Sequence, residues 1–462
     1  MPGPERLTLT VERLAPEGTA LARAAGSTRV VFVPHGVPGD RIEAELTQAK
    51  SSFARARLVK VLEPSADRIV PPCKLHFDPA RIGPACGGCD WQQMAYETQL
   101  RHKRELILDC LRRIAKMPDV SVEPTRPSPQ AWGYRNKVQI PFGRGPGGKP
   151  VAGFYAEGSH RIVDFDACPV QTDLSVKIAL KVKELAGRFS WPIYDEDRRA
   201  GWLRHLFVRT NTRGQALAAL VTTSDALPKR AETESALSSA FPELIGFWQN
   251  IQSEKTSVVL GPRWKHLWGA QHIEESIGPY SFLVSPGAFL QINTPAAAVL
   301  YETAASALGH GDQRFPLALD LYCGTGTLTL WAAQAARRVI GIEENRDAVR
   351  DAWKNAERNQ VKNVRFKIGR VEAVLPRIKE EIAAGAIAVL VDPPRAGCSV
   401  PVLRALTNPA VRRVVYVSCD PATFARDAAY LAKSGFRLHG VQPVDLFPQT
   451  SHVELVARLD RP

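Results

Sequence analysis

The segment that most restricts the fold is a hydrophobic strand followed by a glycine turn and a helix, "PLALDLYCGTGTLTLWAA", at residues 316–333. A second apolar run, "RVIGIEEN", follows it and contains Glu343 at its end. Further strand-like runs at 388–392 and 413–418 are separated from these by helical stretches. Strands that alternate with helices form a parallel sheet covered by helices, so we expect an α/β domain in the C-terminal part of the chain.

The glycine turn predicts a pocket for a nucleoside cofactor. Gly324 and Glu343 stand near the ~20-residue spacing at which an acidic side chain accepts hydrogen bonds from ribose hydroxyls. After Gly326 the turn does not complete the G-x-G-x-x-G spacing of dinucleotide sites. The pattern therefore favours S-adenosyl-L-methionine, which has no pyrophosphate for such a turn to bind.

Two cysteines follow strands of the same expected sheet. "AVLVDPPRAG" (388–397) is a strand that ends at Asp392, and "RRVVYVSCDPATFARD" (412–427) is a strand that ends at Cys419. The carboxyl ends of parallel strands form the edge where open α/β sheets bind ligands. A thiolate there can add to carbon 6 of a pyrimidine and make carbon 5 nucleophilic, which is covalent catalysis. By position alone Cys398 is a second candidate nucleophile.

Methylation through such an adduct needs a base that removes the proton from carbon 5. Glu454 in "QTSHVELVARL" begins a predicted terminal strand that can pair beside the Cys419 strand. His452 is a second candidate base. The alternative for Glu454 is an outward-facing carboxylate on an edge strand.

Another set of cysteines has the spacing of a metal site. Cys86 and Cys89 flank two glycines, which lets both thiolates bind one metal centre, and Cys73 precedes them. Cys168 in "DFDACPVQ" is the candidate fourth ligand. Zinc, an iron–sulfur cluster and unliganded thiols all remain open, although the long separation of Cys168 from the others disfavours a simple zinc ribbon.

Composition restricts the partners and the compartment. The formal net charge of +13 favours a polyanion, RNA or DNA. We expect no membrane segment, since no apolar run reaches ~18 residues. Eight cysteines without a signal-like start indicate a reduced compartment, and we expect a cytoplasmic protein with no obligate protein partner. Cys110 and Cys323 are expected to be packing residues.

The rest of the chain is mainly β-type. Residues 5–63 alternate short β runs with turns and predict a small barrel. An amphipathic basic helix is expected at 94–116, and β-rich structure at 120–290 with a hairpin tip at "GRGPGGKP". Thr294 followed by Pro295 predicts the N-cap and first turn of a helix.

Together these motifs resemble the RNA uracil-C5 methyltransferases, in the branch that carries an iron–sulfur cluster and forms 5-methyluridine in ribosomal RNA. The segments that carry the resemblance are "VFVPHGVPGDRIEAEL", "CGGCDWQQMAYETQLRHKRE", "SPGAFLQINTPAAAVLY", "DLYCGTGTLTL", "DPPRAG", "SCDPATFARD" and "HVELVARL". The resemblance implies a TRAM-like RNA-binding β-barrel at 1–65 and a β-rich central domain at 66–290 with a cysteine loop at 71–93. It implies a Rossmann-like methyltransferase domain at 291–462.

The resemblance also implies roles for individual residues. Cys419 would be the nucleophile and Glu454 the base, and S-adenosylmethionine would contact five residues. These are Gln291, Tyr322, Thr327, Glu343 and Asp392. A [4Fe-4S] cluster would be bound by Cys73, Cys86, Cys89 and Cys168.

The implied substrate is structured RNA, with 23S rRNA first. Methylation of tRNA uridine, of cytosine carbon 5 or of an amino group is the alternative, and an RNA-binding module with a degenerate methyltransferase domain is another.

Two positions depart from the family pattern. The gap between Cys73 and Cys86 is longer than usual, and Arg370 stands where a carboxylate or amide usually contacts the adenine side.

Overall fold

A computed structural model describes residues 5–15, 17–81, 83–309, 314–383 and 385–462. The N-terminal strands form a closed barrel in the order β1-β2-β3-β5-β4, as predicted. Alternate residues of these strands are buried and fill the barrel, which is the period-2 pattern of a strand with one solvated face. The strands are β1 (Arg6–Leu14), β2 (Ala20–Arg23), β3 (Val30–Val33), β4 (Arg41–Ala49) and β5 (Phe53–Glu63).

One helix links the barrel to the C-terminal part of the molecule. Helix α1 (Tyr96–Cys110) continues into a π-helical turn at Leu111–Ala115, in agreement with the predicted amphipathic helix. Leu106 packs into the barrel core, whereas Ile107 packs into the core of the C-terminal sheet. The two faces of α1 therefore join the two hydrophobic cores.

The middle of the chain forms a seven-stranded sheet in the order β12-β11-β10-β9-β6-β7-β8, which confirms the β-rich prediction. A 3₁₀ turn at Pro146–Gly148 closes the predicted hairpin between β6 and β7. The strands are β6 (Lys137–Arg144), β7 (Pro150–Tyr155), β8 (Ile162–Asp164), β9 (Leu203–Thr210), β10 (Ala216–Thr222), β11 (Leu244–Ile251) and β12 (Arg263–Gly269). The helices of this region are α2 (Asp173–Arg188) and α3 (Arg230–Ala240).

A hairpin of β13 (Ile273–Ile277) and β14 (Tyr280–Val284) leads to helix α4 (Thr294–Leu308). The predicted N-cap Thr294 is wrong by one residue. Asn293 is the cap, and its side-chain oxygen accepts from the amide of Ala296 at 3.2 Å. The Thr294 hydroxyl instead donates to Glu275 at 2.9 Å.

The C-terminal sheet has seven strands in the order β17-β16-β15-β18-β19-β21-β20. Its first five strands run parallel and β21 runs antiparallel to both neighbours, so the predicted parallel sheet is confirmed. The strands are β15 (Leu317–Leu321), β16 (Val339–Glu343), β17 (Val364–Ile368), β18 (Ile387–Val391), β19 (Val411–Ser418), β20 (Arg437–Val444) and β21 (Glu454–Asp460).

Helices cover this sheet, as expected for alternating strands and helices. They are α5 (Thr327–Ala332), α6 (Arg346–Arg358), α7 (Val371–Val374), α8 (Lys379–Ala383), α9 (Val400–Leu406) and α10 (Pro421–Lys433), with a 3₁₀ turn at Leu375–Ile378. In the part of the chain that the structure describes, none of the helices combines the length and the apolar character that crossing a bilayer requires.

Candidate active site

Four predicted site residues lie at the carboxyl edge of the C-terminal sheet. Tyr322 follows β15, Glu343 ends β16, Asp392 follows β18 and Cys419 follows β19. These strands are consecutive neighbours and run parallel, so their carboxyl ends meet at one edge. The structure therefore brings together residues spread over about a hundred positions of sequence, at the place where such sheets bind ligands.

The glycine turn after β15 has the shape of a ligand cradle. Gly324 and Gly326 have φ of 54° and 80°, which is the left-handed region that glycine adopts without strain. The Gly324 amide donates to Glu343 Oε2 at 3.1 Å, so the turn holds this carboxylate in place. A Cβ at Gly324 would meet no atom within 4 Å. Open space therefore lies beside the turn.

Asp320 supplies a second feature that suits a charged ligand. Its Oδ2 accepts from the Thr329 hydroxyl, whereas Oδ1 is buried with no hydrogen-bond partner in the described residues. Burial raises the pKa of Asp320 to about 7, and the nearby carboxylates of Asp392 and Glu343 add to the rise. A cationic group bound here would compensate this carboxylate. The turn and Asp320 thus fit a nucleoside cofactor that carries an amino acid, such as S-adenosylmethionine.

Gln291 and Thr327 lie on the α4 side of this edge. Gln291 is buried, and its backbone oxygen accepts from Asn136 Nδ2 at 3.2 Å. Thr327 begins α5, and its hydroxyl lies 3.4 Å from the Tyr301 hydroxyl. Sequence reasoning missed Tyr301, because a tyrosine in the apolar helix segment "AVLYET" has no distinguishing pattern. Burial raises its pKa, and the carboxylates of Asp320, Asp392 and Glu454 add to the rise.

Cys419 and Glu454 are adjacent across two paired strands. In the β19–β21 ladder Ser418 pairs with Leu455, so the next positions outward are Cys419 and Glu454. This confirms the predicted pairing. The alternative of an outward-facing Glu454 on an edge strand is wrong, because β21 lies between β19 and β20 and Glu454 is 4% exposed.

The electrostatics of the pair reflect burial. Burial raises the pKa of Cys419 to about 11, Glu454 adds to this rise, and Arg395 opposes it. Burial also raises the pKa of Glu454 well above its ordinary value, with Asp392 adding and Arg395 opposing. Arg395 is therefore the cation that favours the ionised form of both groups. The sequence motif "DPPRAG" contains it, but nothing in that pattern indicated this role.

The second cysteine candidate lies in a different environment. Cys398 is 5% exposed within the hydrophobic core, and its amide donates to Asp427 Oδ2 at 2.8 Å. Burial raises the pKa of its thiol to about 12, although the Tyr416 hydroxyl partly opposes this. The structure therefore favours Cys419, which is less buried and lies beside Glu454.

His452, the other candidate base, lies two residues before Glu454. Its ring contacts Phe447 with centroids 5.9 Å apart. Burial lowers the pKa of His452, and Arg395 lowers it further. The imidazole and the Glu454 carboxylate thus both lie within the field of Arg395.

The four cysteines predicted to bind a metal centre line one cavity of about 580 Å³. They are Cys73, Cys86, Cys89 and Cys168, and all four are free thiols. The same cavity is lined by Arg395, Phe447 and His452. The cysteines therefore face a space that also borders Arg395 and His452, two residues near the candidate catalytic pair.

The four thiols lie in a partly buried environment. Burial raises the pKa of Cys86 to about 11 and that of Cys89 to about 12, and the neighbouring cysteines add to both. In the described ranges no three His, Cys, Asp or Glu side chains come close enough to hold one metal ion.

The chain is similar to known RNA methyltransferases over nearly its whole length. An uncharacterized RNA methyltransferase of Halalkalibacterium halodurans is 38% identical over 98% of this chain and 96% of the relative. One of Gloeobacter violaceus is 39% identical over 99% of this chain and 97% of the relative. Residues 279–461 match the family model described as tRNA (Uracil-5-)-methyltransferase, and residues 5–59 match the TRAM domain. The chain belongs to the RNA uracil-C5 methyltransferase family.

A solved structure supports the same fold and cofactor. The tRNA (uracil-54, C5)-methyltransferase of Pyrococcus abyssi, in complex with S-adenosyl-L-homocysteine, has a TM-score of 0.75 and 26% identity. The match covers 98% of this chain and 100% of that one. The protein is thus an S-adenosylmethionine-dependent RNA uracil methyltransferase with a TRAM barrel and a Rossmann-like catalytic domain.

Proposed function

We propose that this enzyme methylates carbon 5 of a specific uridine in structured RNA through a covalent adduct between Cys419 and uracil carbon 6, with Glu454 as the base. The observation that supports this most directly is the adjacency of Cys419 and Glu454 on paired strands, next to Asp392. A nucleophile and a base for one pyrimidine ring must act at neighbouring carbons, and the pairing provides two such groups.

In the proposed reaction the Cys419 thiolate forms a bond to carbon 6, and the electrons of the carbon 5–carbon 6 double bond move onto the carbon 4 carbonyl as an enolate. Bound S-adenosylmethionine supplies the electrophilic methyl group that carbon 5 of the enolate takes up. Glu454 then removes the proton from carbon 5. The double bond re-forms as the carbon 6–sulfur bond breaks, and Cys419 leaves as a thiolate. Each step is easier than direct methylation of the unactivated ring.

The cofactor would be held by Gln291, Tyr322, Thr327, Glu343 and Asp392. Glu343 is the proposed ribose contact, since the Gly324 amide already fixes its carboxylate at the end of β16. Asp392 is the proposed neighbour of the transferred methyl group, since it lies between the glycine turn and Cys419 on the sheet edge.

The test is a denaturing gel that detects RNA covalently attached to the protein. Glu454→Gln keeps shape and polarity but removes the base, so addition and methyl transfer proceed, elimination stalls and the adduct accumulates. Cys419→Ala removes the nucleophile, so we expect neither adduct nor methylation while S-adenosylmethionine still binds. RNA that contains 5-fluorouridine is expected to trap the wild type in the same way, because fluorine does not leave as a proton.

Cys398→Ala is the matched control for the nucleophile. An adduct that persists in Cys419→Ala and disappears in Cys398→Ala would reassign the nucleophile. Unimpaired methylation in Glu454→Gln, with no adduct, would direct attention to His452 as the base.

We propose 23S rRNA as the substrate, on the basis of the four-cysteine set that resembles the rRNA-modifying branch. The likeness to the Pyrococcus abyssi tRNA enzyme favours tRNA as the second candidate. Sequencing the RNA trapped by Glu454→Gln from total cellular RNA distinguishes the two, since the trapped species contains the target uridine.

We also propose that Cys73, Cys86, Cys89 and Cys168 bind a [4Fe-4S] cluster with a structural role, because methyl transfer needs no electron transfer. Protein purified without oxygen is expected to be brown, to contain iron and sulfide, and to absorb broadly near ~400 nm. Replacement of Cys86 by Ser is expected to remove most of this absorbance. Stoichiometric zinc without sulfide would reject the cluster.

A further inference from the structure

The segment between β20 and β21, residues 445–453, is called the base loop here because Glu454 follows it directly. Four consecutive backbone oxygens of this loop accept hydrogen bonds from outside the C-terminal sheet. The donors are Asn293 Nδ2 to Leu446 (3.0 Å), Lys103 Nζ to Phe447 (3.1 Å), the Tyr134 hydroxyl to Pro448 (2.9 Å) and the Trp91 amide to Gln449 (3.1 Å). The loop therefore depends on other regions of the chain as well as on its own turn, in which the Thr450 amide donates to the Phe447 oxygen at 3.2 Å.

A buried ion pair fixes the start of the base loop. Lys103 on α1 donates to Asp445 Oδ1 at 2.6 Å, and both side chains are fully buried. Asp445 Oδ1 also accepts from the Phe447 amide at 3.0 Å. A buried charge without its partner is strongly unfavourable, so Lys103 and Asp445 hold each other in place.

A reciprocal amide pair fixes the middle of the loop. Gln99, one turn before Lys103 on α1, donates through Nε2 to Gln449 Oε1 at 3.0 Å. Its Oε1 accepts from the Gln449 amide at 2.9 Å. Gln449 has φ of 71°, a conformation that a residue with a side chain rarely adopts. The pair with Gln99 helps to hold Gln449 in this conformation.

The end of the loop is held by the segment that follows the cysteine pair. Asp90, the residue after Cys89, accepts from the Ser451 amide through Oδ1 at 3.0 Å. Asp90, Gln99 and Lys103 thus bind the loop at its end, middle and start. Only two residues, His452 and Val453, separate the last of these contacts from Glu454.

We propose that Lys103 and Gln99 are positioning residues for the catalytic base: α1 holds the base loop in the one conformation that places the Glu454 carboxylate against carbon 5 of the uracil. The inference rests on the proposed role of Glu454 as base. It assigns to α1, outside the methyltransferase domain, a specific part in the last chemical step rather than in cofactor binding or nucleophilic addition.

The separation of steps follows from the location of the other groups. Cys419 follows β19, and the proposed cofactor contacts Tyr322, Glu343 and Asp392 follow or end β15, β16 and β18. Lys103 and Gln99 hydrogen-bond to the base loop and to the Trp91–Met94 backbone, and not to any of these four residues. Loosening the base loop is thus expected to affect proton removal first.

The test measures which step slows. Gln99→Met removes the reciprocal pair, and Lys103→Met/Asp445→Asn removes both buried charges together. A positioned base contributes ~10²-fold or more to a proton transfer. Both variants are therefore expected to accumulate methylated covalent RNA–protein adduct, as Glu454→Gln does, with 5-methyluridine release slowed by a comparable factor. Gln99→Met keeps the buried ion pair, so it still tests the inference if the double variant fails to fold.

The control is Leu220→Ala, which opens a cavity in the core of the central sheet, far in the chain from the base loop. It is expected to lower the amount of active enzyme without adduct. Slower methylation without adduct in Gln99→Met and in the double variant would overturn the inference. If Glu454→Gln still formed the adduct in that case, the proposed function would stand. Absence of adduct in Glu454→Gln would reject Glu454 as the base, and with it the premise of this inference. Faster hydrogen exchange at residues 446–454 in Gln99→Met is a second expected result, and unchanged exchange would contradict the inference.

Discussion

Asp392 and Glu454 are expected to make binding of the proposed cofactor depend on pH. Burial raises the pKa of Asp392 to about 7 and that of Glu454 well above its ordinary value. Arg395 is the cation near Glu454, while Asp320 and Tyr301 are close enough to Asp392 for its charge to raise their pKa values. A sulfonium bound beside these carboxyl groups favours their ionised forms, so binding of S-adenosylmethionine is expected to release a proton.

The sign of the effect follows from the raised pKa values. Below pH 7 Asp392 is protonated, so each further unit of acidity is expected to weaken S-adenosylmethionine binding by up to ~10-fold. Calorimetry in buffers of different ionisation enthalpy measures both the affinity and the proton release. S-adenosylhomocysteine, which lacks the sulfonium charge but keeps the amino group, is the control and is expected to bind with a weaker pH dependence. Equal pH dependence for the two would contradict the prediction.

At the scale of residues, sequence reasoning succeeded where a motif marks a strand end and missed side chains that act through long-range contacts. Cys419 follows one recognisable strand and Glu454 begins another, so their meeting was predictable. Tyr301 faces the same site from a helix that is rich in alanine and has no motif that marks a site residue. Lys103 meets Asp445 across 342 positions, and nothing local in either segment marks the pair.

Two helices of the catalytic domain begin with asparagine caps that have different surroundings. Asn345 at α6 is exposed, and its side-chain oxygen accepts from the amides of Asp347 and Ala348. Asn293 at α4 is buried and also donates to Ser128 Oγ and Leu446 O, both at 3.0 Å. Asn293 therefore combines a cap with a bridge between the central domain and the base loop.

The matched pair Asn345→Ala and Asn293→Ala separates these roles. Loss of a cap alone is expected to lower the free energy of unfolding by about 1 kcal/mol in Asn345→Ala. Asn293→Ala also leaves buried partners unsatisfied, which adds ~1–3 kcal/mol. Shifts of the urea unfolding midpoint measure the difference, and equal shifts would show that the buried bridge contributes nothing.

At the scale of elements, the sequence predicted the order of strands and helices. For β21 it predicted one of the two neighbouring strands. The period-2 barrel strands and the buried parallel strands carry strong local patterns. The pairing of β21 with β19 was expected, whereas its pairing with β20 on the other side was not. A strand's second neighbour depends on which edge remains open, and the local sequence does not record this.

At the scale of the whole molecule, the charge surplus is expected to act through particular faces. On the barrel, Lys50 lies 5.3 Å from the Phe53 ring and Arg55 lies 5.8 Å from the Phe32 ring. Both cations are exposed, and exposed cations beside aromatic rings suit phosphates and stacked bases. We therefore expect this part of the barrel to contact the RNA.

Lys50→Ala/Arg55→Ala is expected to weaken RNA binding and to lower the slope of log affinity against log salt by about 1 for each phosphate that the variant no longer neutralises. Lys229→Ala/Arg350→Ala, which removes the same charge from residues already paired with Glu232 and Asp347, is the control. Filter binding at several salt concentrations measures both slopes. An identical change in the two variants would indicate only a net-charge effect.

The insertion of β21 between β19 and β20 has a consequence for synthesis on the ribosome. A nascent chain that ends at residue 444 already contains Cys419, β19 and β20. The position between these two strands is still unoccupied, and β19 is an open edge of the sheet. Domains fold progressively as they are translated. Glu454 joins the sheet only when β21 pairs between β19 and β20. An unfinished chain therefore contains the proposed nucleophile without the proposed base. We expect that the sheet is completed and the enzyme becomes able to turn over in the same step.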